Sequence, residues 1–120
     1  MASILLVEDD ESIRNMYSTG LSNEGFAVTP ISNAAEAKAF VESQQFDFIL
    51  LDMLLGGMSG IDFLESTDLR IKAPQTRVIG LSNIGSDNIK ERALSLGVVA
   101  FLDKAEYDPP KLSLYLKQLG

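Results

Sequence analysis

Neither histidine nor cysteine occurs in this sequence of 120 residues. Without cysteine there are no disulfides and no thiolate zinc sites, which is compatible with a cytoplasmic chain. Without histidine the commonest general base and metal ligand is missing, and any catalytic triad that needs an imidazole is excluded. Basic residues are scarce as well: 10 Lys and Arg against 17 Asp and Glu leave a net charge of -7. There is no basic stripe for a sequence-independent grip on DNA or RNA, so no direct nucleic-acid partner is expected. No apolar run approaches the ~20 residues of a membrane span, and the amino terminus lacks a charged segment followed by an apolar one. Neither membrane insertion nor secretion is expected.

What is present is an ordinary globular composition, 46% apolar and 22% charged, enough for one core. A single domain over residues 1–120 is expected, with no linker, internal repeat or low-complexity tract. The chain is organised around the stretch FDFILLDMLLGGMSG. Its consecutive apolar residues Phe48, Ile49, Leu50 and Leu51 read as a strand buried on both faces. That strand ends in Asp52, followed by a loop whose glycines permit close backbone approaches. Ile4 to Val7 is a second such run, and it also ends in acid: Glu8, Asp9, Asp10, Glu11.

Between and beyond these runs the pattern alternates. Ile13, Met16, Tyr17 and Leu21 recur at helical spacing and Gly25 marks the stop. A short strand over 27–31 leads to a helix over about 34–44 that places Ala35, Ala39, Phe40 and Val41 toward the sheet. A third helix is predicted from 59 to about 72, then a strand over 77–81, a helix over 86–96, a strand over 98–102, and a last helix opened by Asp108 and Pro109. Five strands alternating with five helices imply right-handed crossovers and a parallel sheet covered on both faces.

In such a sheet ligands bind at the carboxyl ends of the strands. Glu8 and Asp9 follow the first strand, Asp52 ends the third, Ser82 the fourth, and Lys104 follows the fifth. Carboxylates brought within ~4 Å repel by roughly 4 kcal/mol at an effective dielectric of 20. A hard divalent cation such as Mg2+, with oxygen ligands, offsets that repulsion without His or Cys. A lysine opposite them suits a phosphoryl oxygen, and a serine hydroxyl can donate to the same group. Together these parts describe phosphoryl transfer by positioning and charge neutralisation. Taken singly, each has a plainer reading. Asp52 can be a turn or helix cap, Asp9 and Asp10 can cap the first helix, Ser82 with Asn83 can form a turn, and Lys104 can be a solvated charge.

The segments ILLVEDDESIR, FDFILLDMLLGGMSG, RVIGLSN and AFLDK resemble the receiver domains of two-component response regulators. The separations from Asp52 to Ser82 and from Asp52 to Lys104, 30 and 52 residues, match that family's acceptor, hydroxyl and lysine motifs. The resemblance implies a doubly wound, flavodoxin-like α/β fold with strand order 2-1-3-4-5. It implies Asp52 as phosphoacceptor, Asp9 and the Leu54 carbonyl as direct Mg2+ ligands, and Glu8 acting through water. Ser82 and Lys104 would hold phosphate oxygens, and Ser82 with Phe101 would form a switch, although an aromatic there also suits plain packing. A sensor histidine kinase or phosphotransfer protein would supply the phosphoryl group, and an output protein or domain would read the result. Turnover of an external substrate is not expected.

The sequence departs from the family pattern at several places. Gly56 and Ala105 stand where proline is usual, so a more mobile loop after Asp52 is expected and a cis bond before residue 105 is less secure. Asn83 replaces a small residue. Leu54 and Ile84, both apolar, are unable to orient an attacking water, so slow self-dephosphorylation is expected. Two other classes of function compete: a pseudo-receiver that binds partners without taking phosphate, and a Mg2+-dependent phosphohydrolase with an aspartate nucleophile.

Overall fold

A computed structural model describes residues 1–53, 60–69, 73–82 and 87–119. Among these, five strands alternate with five helices: β1 Ser3–Val7, α1 Glu11–Asn23, β2 Ala27–Ile31, α2 Ala34–Ser43, β3 Phe48–Asp52, α3 Gly60–Thr67, β4 Arg77–Ser82, α4 Asp87–Ser95, β5 Val98–Asp103 and α5 Pro109–Leu119. All strand pairs are parallel and the order is β2-β1-β3-β4-β5, as the family pattern implies.

The pleat divides each central strand between two cores. Leu5, Val7, Ile49 and Leu51 face α2, α3 and α4, where Ala37, Val41, Phe63, Leu64 and Ala93 complete one cluster. Ile4, Leu6, Phe48 and Leu50 face α1 and α5, where Tyr17, Leu21, Leu112 and Leu116 complete the other. This alternation explains why β1 from Ile4 to Val7 and β3 from Phe48 to Leu51 are apolar at every position: neither face meets water there. β2 tolerates Pro30 because it is an edge strand, with β1 as its one neighbour, so the missing N–H interrupts no second ladder.

Local chemistry sets the helix starts. The carboxylate of Asp10 accepts from Ile13 N at 2.9 Å, the Asn33 side chain from Glu36 N at 2.9 Å, and Asp108 from Lys111 N at 3.0 Å. Each satisfies a backbone donor that the first turn leaves open.

Three helix predictions need correction. The inward face of α2 is Ala34, Ala37 and Val41, whereas Ala35 and Ala39 are exposed. The Asn33 cap fixes the helix phase, and alanine periodicity alone does not reveal it. Met16 is 47% exposed and so is not part of the core face of α1. The third helix stops at Thr67, because Asp68 takes a φ of 51°, a left-handed conformation that breaks the helical run, before Leu69 is helical again. The predicted remainder to residue 72 and the loop mobility inferred from Gly56 fall outside the described residues. No cis peptide bond occurs among the described residues.

Candidate functional site

Because the strands are parallel, their carboxyl ends share one edge. Leu51 of β3 lies opposite Val7, Asp52 opposite Leu81, and Ser82 opposite Asp103. Two bonds carry the ladders one residue further, from Met53 N to the Leu81 carbonyl at 3.0 Å and from Lys104 N to the Ser82 carbonyl at 2.9 Å. Glu8, Asp52, Ser82 and Lys104 are therefore mounted on rigid backbone, each at or just past a strand end.

The side chains converge. Lys104 Nζ lies 2.7 Å from Glu8 Oε1 and 3.1 Å from Asp52 Oδ2. Glu8, Asp52 and Ser82 are buried, at 2%, 5% and 3% exposure, while Asp9 is exposed at the rim. Oxygens of Glu8, Asp9 and Asp52 all lie within 4.8 Å of one another. Burial, together with the adjoining Asp52 carboxyl, pushes the Glu8 carboxyl up to about 7 against the opposing pull of Lys104. Burial alone would depress the Lys104 ammonium, but the two carboxylates more than offset it and hold its pKa above the ordinary value.

This donor set fits a hard divalent cation. Ionised, three carboxylates against one contacting ammonium leave an excess of negative charge, and their oxygens are of the kind that Mg2+ takes. Among the described residues Glu8 Oε2 is fully buried with no hydrogen-bond partner, an acceptor that a cation or its bound water would satisfy.

Of the residues singled out from the sequence, Glu8, Asp9, Asp52 and Lys104 come together in this cluster, and Ser82 adjoins it through the bond of its carbonyl to Lys104. Asp10 caps α1 instead. Phe101 is half-buried against the α2–α4 core, its ring edge 3.1 Å from where a side chain on Gly80 would begin. Leu54, Asn83 and Ile84 fall outside the described residues. Sequence reasoning does not single out Arg14, whose Nη1 donates to the Glu8 carbonyl at 2.9 Å. Its one signal there is a cation three positions beyond a run of four acids.

The family model described as "Response regulator receiver domain" matches residues 4–117. The chain is 34% identical over 101 residues to the alginate biosynthesis transcriptional regulatory protein AlgB of Pseudomonas aeruginosa, covering 84% of this chain but 22% of that one. Its fold is similar to that of the chemotaxis protein CheY4 of Vibrio cholerae, with a TM-score of 0.90 and 28% identity over 100% of this chain and 99% of that one. It is also similar, with a TM-score of 0.87 and 25% identity over 97% of this chain and 66% of that one, to a response regulator of Burkholderia pseudomallei that holds a phosphorylated aspartic acid, a calcium ion and citrate. The chain belongs to the receiver-domain family of two-component response regulators, and its Glu8, Asp9 and Asp52 cluster fits that family's phosphorylation and Mg2+ site. Family members work with sensor kinases and output domains. Among the described residues no helix is long and apolar enough to cross a membrane.

Proposed function

We propose that Asp52 is the phosphoacceptor of a cytoplasmic phosphorelay receiver and that Asp9, Asp52 and the Leu54 carbonyl hold Mg2+ directly, with Glu8 acting through water. The observation that carries this reading is the largely buried Lys104 ammonium bridging Glu8 and Asp52, with Asp9 completing a three-carboxylate cluster. The phosphorylated aspartate and divalent ion in the Burkholderia pseudomallei protein support it. The part given to Leu54 rests on the family pattern alone.

An Asp52 oxygen attacks the phosphorus of a phosphohistidine, the P–N bond breaks, and the imidazole leaves with the electron pair and takes up a proton. The donor is a separate protein, a sensor kinase or phosphotransfer protein, since this sequence holds no histidine. Mg2+, when bound, neutralises charge on the carboxylates and the phosphoryl oxygens. Lys104, 3.1 Å from Asp52 Oδ2, takes one phosphate oxygen, and the Ser82 hydroxyl takes another. Movement of Ser82 and Phe101 would then alter the surface formed by α4, β5 and α5, which an output protein or domain reads. With Leu54 and Ile84 apolar, loss of phosphate is slow.

The test is incubation with acetyl phosphate and Mg2+, read by intact mass. Wild type is expected to gain one phosphoryl group and Asp52→Asn none. A wild type that gains none is a pseudo-receiver. Turnover of a free phosphate ester would make the chain a phosphohydrolase.

A further inference from the structure

The turn between β1 and α1 carries two of the three clustered carboxylates, and a side chain from outside the cluster grips its backbone. Arg14, half-buried in the first turns of α1, donates from Nη1 to the Glu8 carbonyl at 2.9 Å and, near the outer limit, to the Asp9 carbonyl at 3.4 Å. The turn has other anchors on either side. Glu8 N donates to the Ile31 carbonyl at 3.1 Å, and Asp10 is tied to α1 by its cap and by Arg14 N to its carbonyl at 2.8 Å. Between those anchors lies Asp9, the exposed member of the cluster, and Arg14 Nη1 reaches the carbonyls of the two peptide units on either side of its Cα.

We propose that Arg14 is a positioning residue for the divalent-cation site: by holding the Glu8 and Asp9 carbonyls it fixes the direction from which the Asp9 carboxylate meets Asp52. The proposal rests on reading the cluster as a Mg2+ site. Two effects of Arg14 oppose each other. Its positive charge repels an incoming cation, whereas its two-carbonyl grip removes the freedom that binding would otherwise have to freeze out. The grip prevails, because the charge faces carbonyls and is partly spent on them, and those carbonyls belong to the two peptide units that carry the Asp9 Cα.

The experiment is calorimetric titration of Mg2+ into the folded wild type, Arg14→Met and Arg14→Lys, beside melting curves without metal. Arg14→Met keeps an unbranched stem and loses the grip. Arg14→Lys keeps the charge on a single-point donor. Arg14→Met is expected to bind Mg2+ about tenfold more weakly, the scale of supporting-residue losses around metal ligands, and Arg14→Lys to fall between it and wild type. In acetyl phosphate labelling the half-saturating Mg2+ concentration rises by the same factor, while the rate at saturating Mg2+ is kept. A merely structural role would lower the metal-free melting temperature and leave the Mg2+ affinity of folded molecules unchanged. Equal or tighter binding by Arg14→Met overturns the proposal. If Arg14→Met does not fold, wild-type affinity in Arg14→Lys overturns it. A wild type that binds no Mg2+ overturns the reading of the cluster instead.

Discussion

Lys104, Glu8 and Thr67 show three outcomes for a polar group taken out of water. Lys104 has 9% of its side chain exposed yet stays charged, because two carboxylates lie within 3.1 Å. Glu8 belongs to the carboxylate cluster and has one oxygen bonded to Lys104 and one, Oε2, with no hydrogen-bond partner among the described residues. Thr67, fully buried at the end of α3, also has an oxygen with no hydrogen-bond partner among the described residues. A buried hydroxyl left unpaired costs about 1–3 kcal/mol. Thr67→Val keeps the branched shape and nearly the same helix propensity while removing that oxygen. We expect it to stabilise the protein by about 1 kcal/mol or more in urea denaturation. A loss of stability would mean that the hydroxyl finds a partner in solution.

At the scale of elements, α1 and α5 meet at a point where no side chain fits. A Cβ on Gly20 would run into the ring of Pro109, the first residue of α5, and nearby the buried Tyr17 hydroxyl donates to the Tyr107 carbonyl at 2.7 Å. Gly20→Ala therefore sets two effects against each other: a gain of up to ~1 kcal/mol in helix propensity and an overlap with a rigid ring that costs about 1–3 kcal/mol. The overlap should win, and the variant should melt below wild type; a higher melting temperature would show that the helices separate without loss. This contact also marks where the sequence stops being legible. The strands β1, β3 and β4 can be read because continuous apolar runs signal burial on both faces, and the caps at Asp10 and Asp108 because cap chemistry is local. The phase of α2 is hidden, since alanine is compatible with either face, and the break at Asp68 is a backbone event with no breaker residue to announce it. In the site, the strand-end positions of Glu8, Asp52 and Lys104 follow from the alternation. The shorter contact of Lys104 with Glu8, across 96 positions of chain, does not, because it depends on how the side chains fill the strand edge.

For the whole molecule, the carboxylate cluster links folding to protons and, with Mg2+ held there as proposed, to the metal. The Glu8 carboxyl, pushed from the ordinary 4.5 up to about 7, keeps its proton in the folded metal-free protein over a range in which the unfolded chain has released it. The folded state then binds more protons than the unfolded state, so this group's contribution makes stability fall as pH rises from about 5 to about 7. Lys104, with its pKa raised above 10.5, remains charged throughout that range and adds no slope there. Mg2+ needs the deprotonated carboxylates, so its affinity rises over the same interval and its binding expels the proton. Melting curves at about pH 5, 6 and 7.5, with and without Mg2+, should therefore diverge as pH rises. At the upper end, Mg2+ at ten times its dissociation constant should add ~1.4 kcal/mol by mass action. Glu8→Gln has no proton to release there, so its metal-free stability should lose that downward slope. A gap between the curves that stays constant with pH, or a Glu8→Gln profile that still falls like wild type, would place the titrating group elsewhere and uncouple Glu8 from the cation.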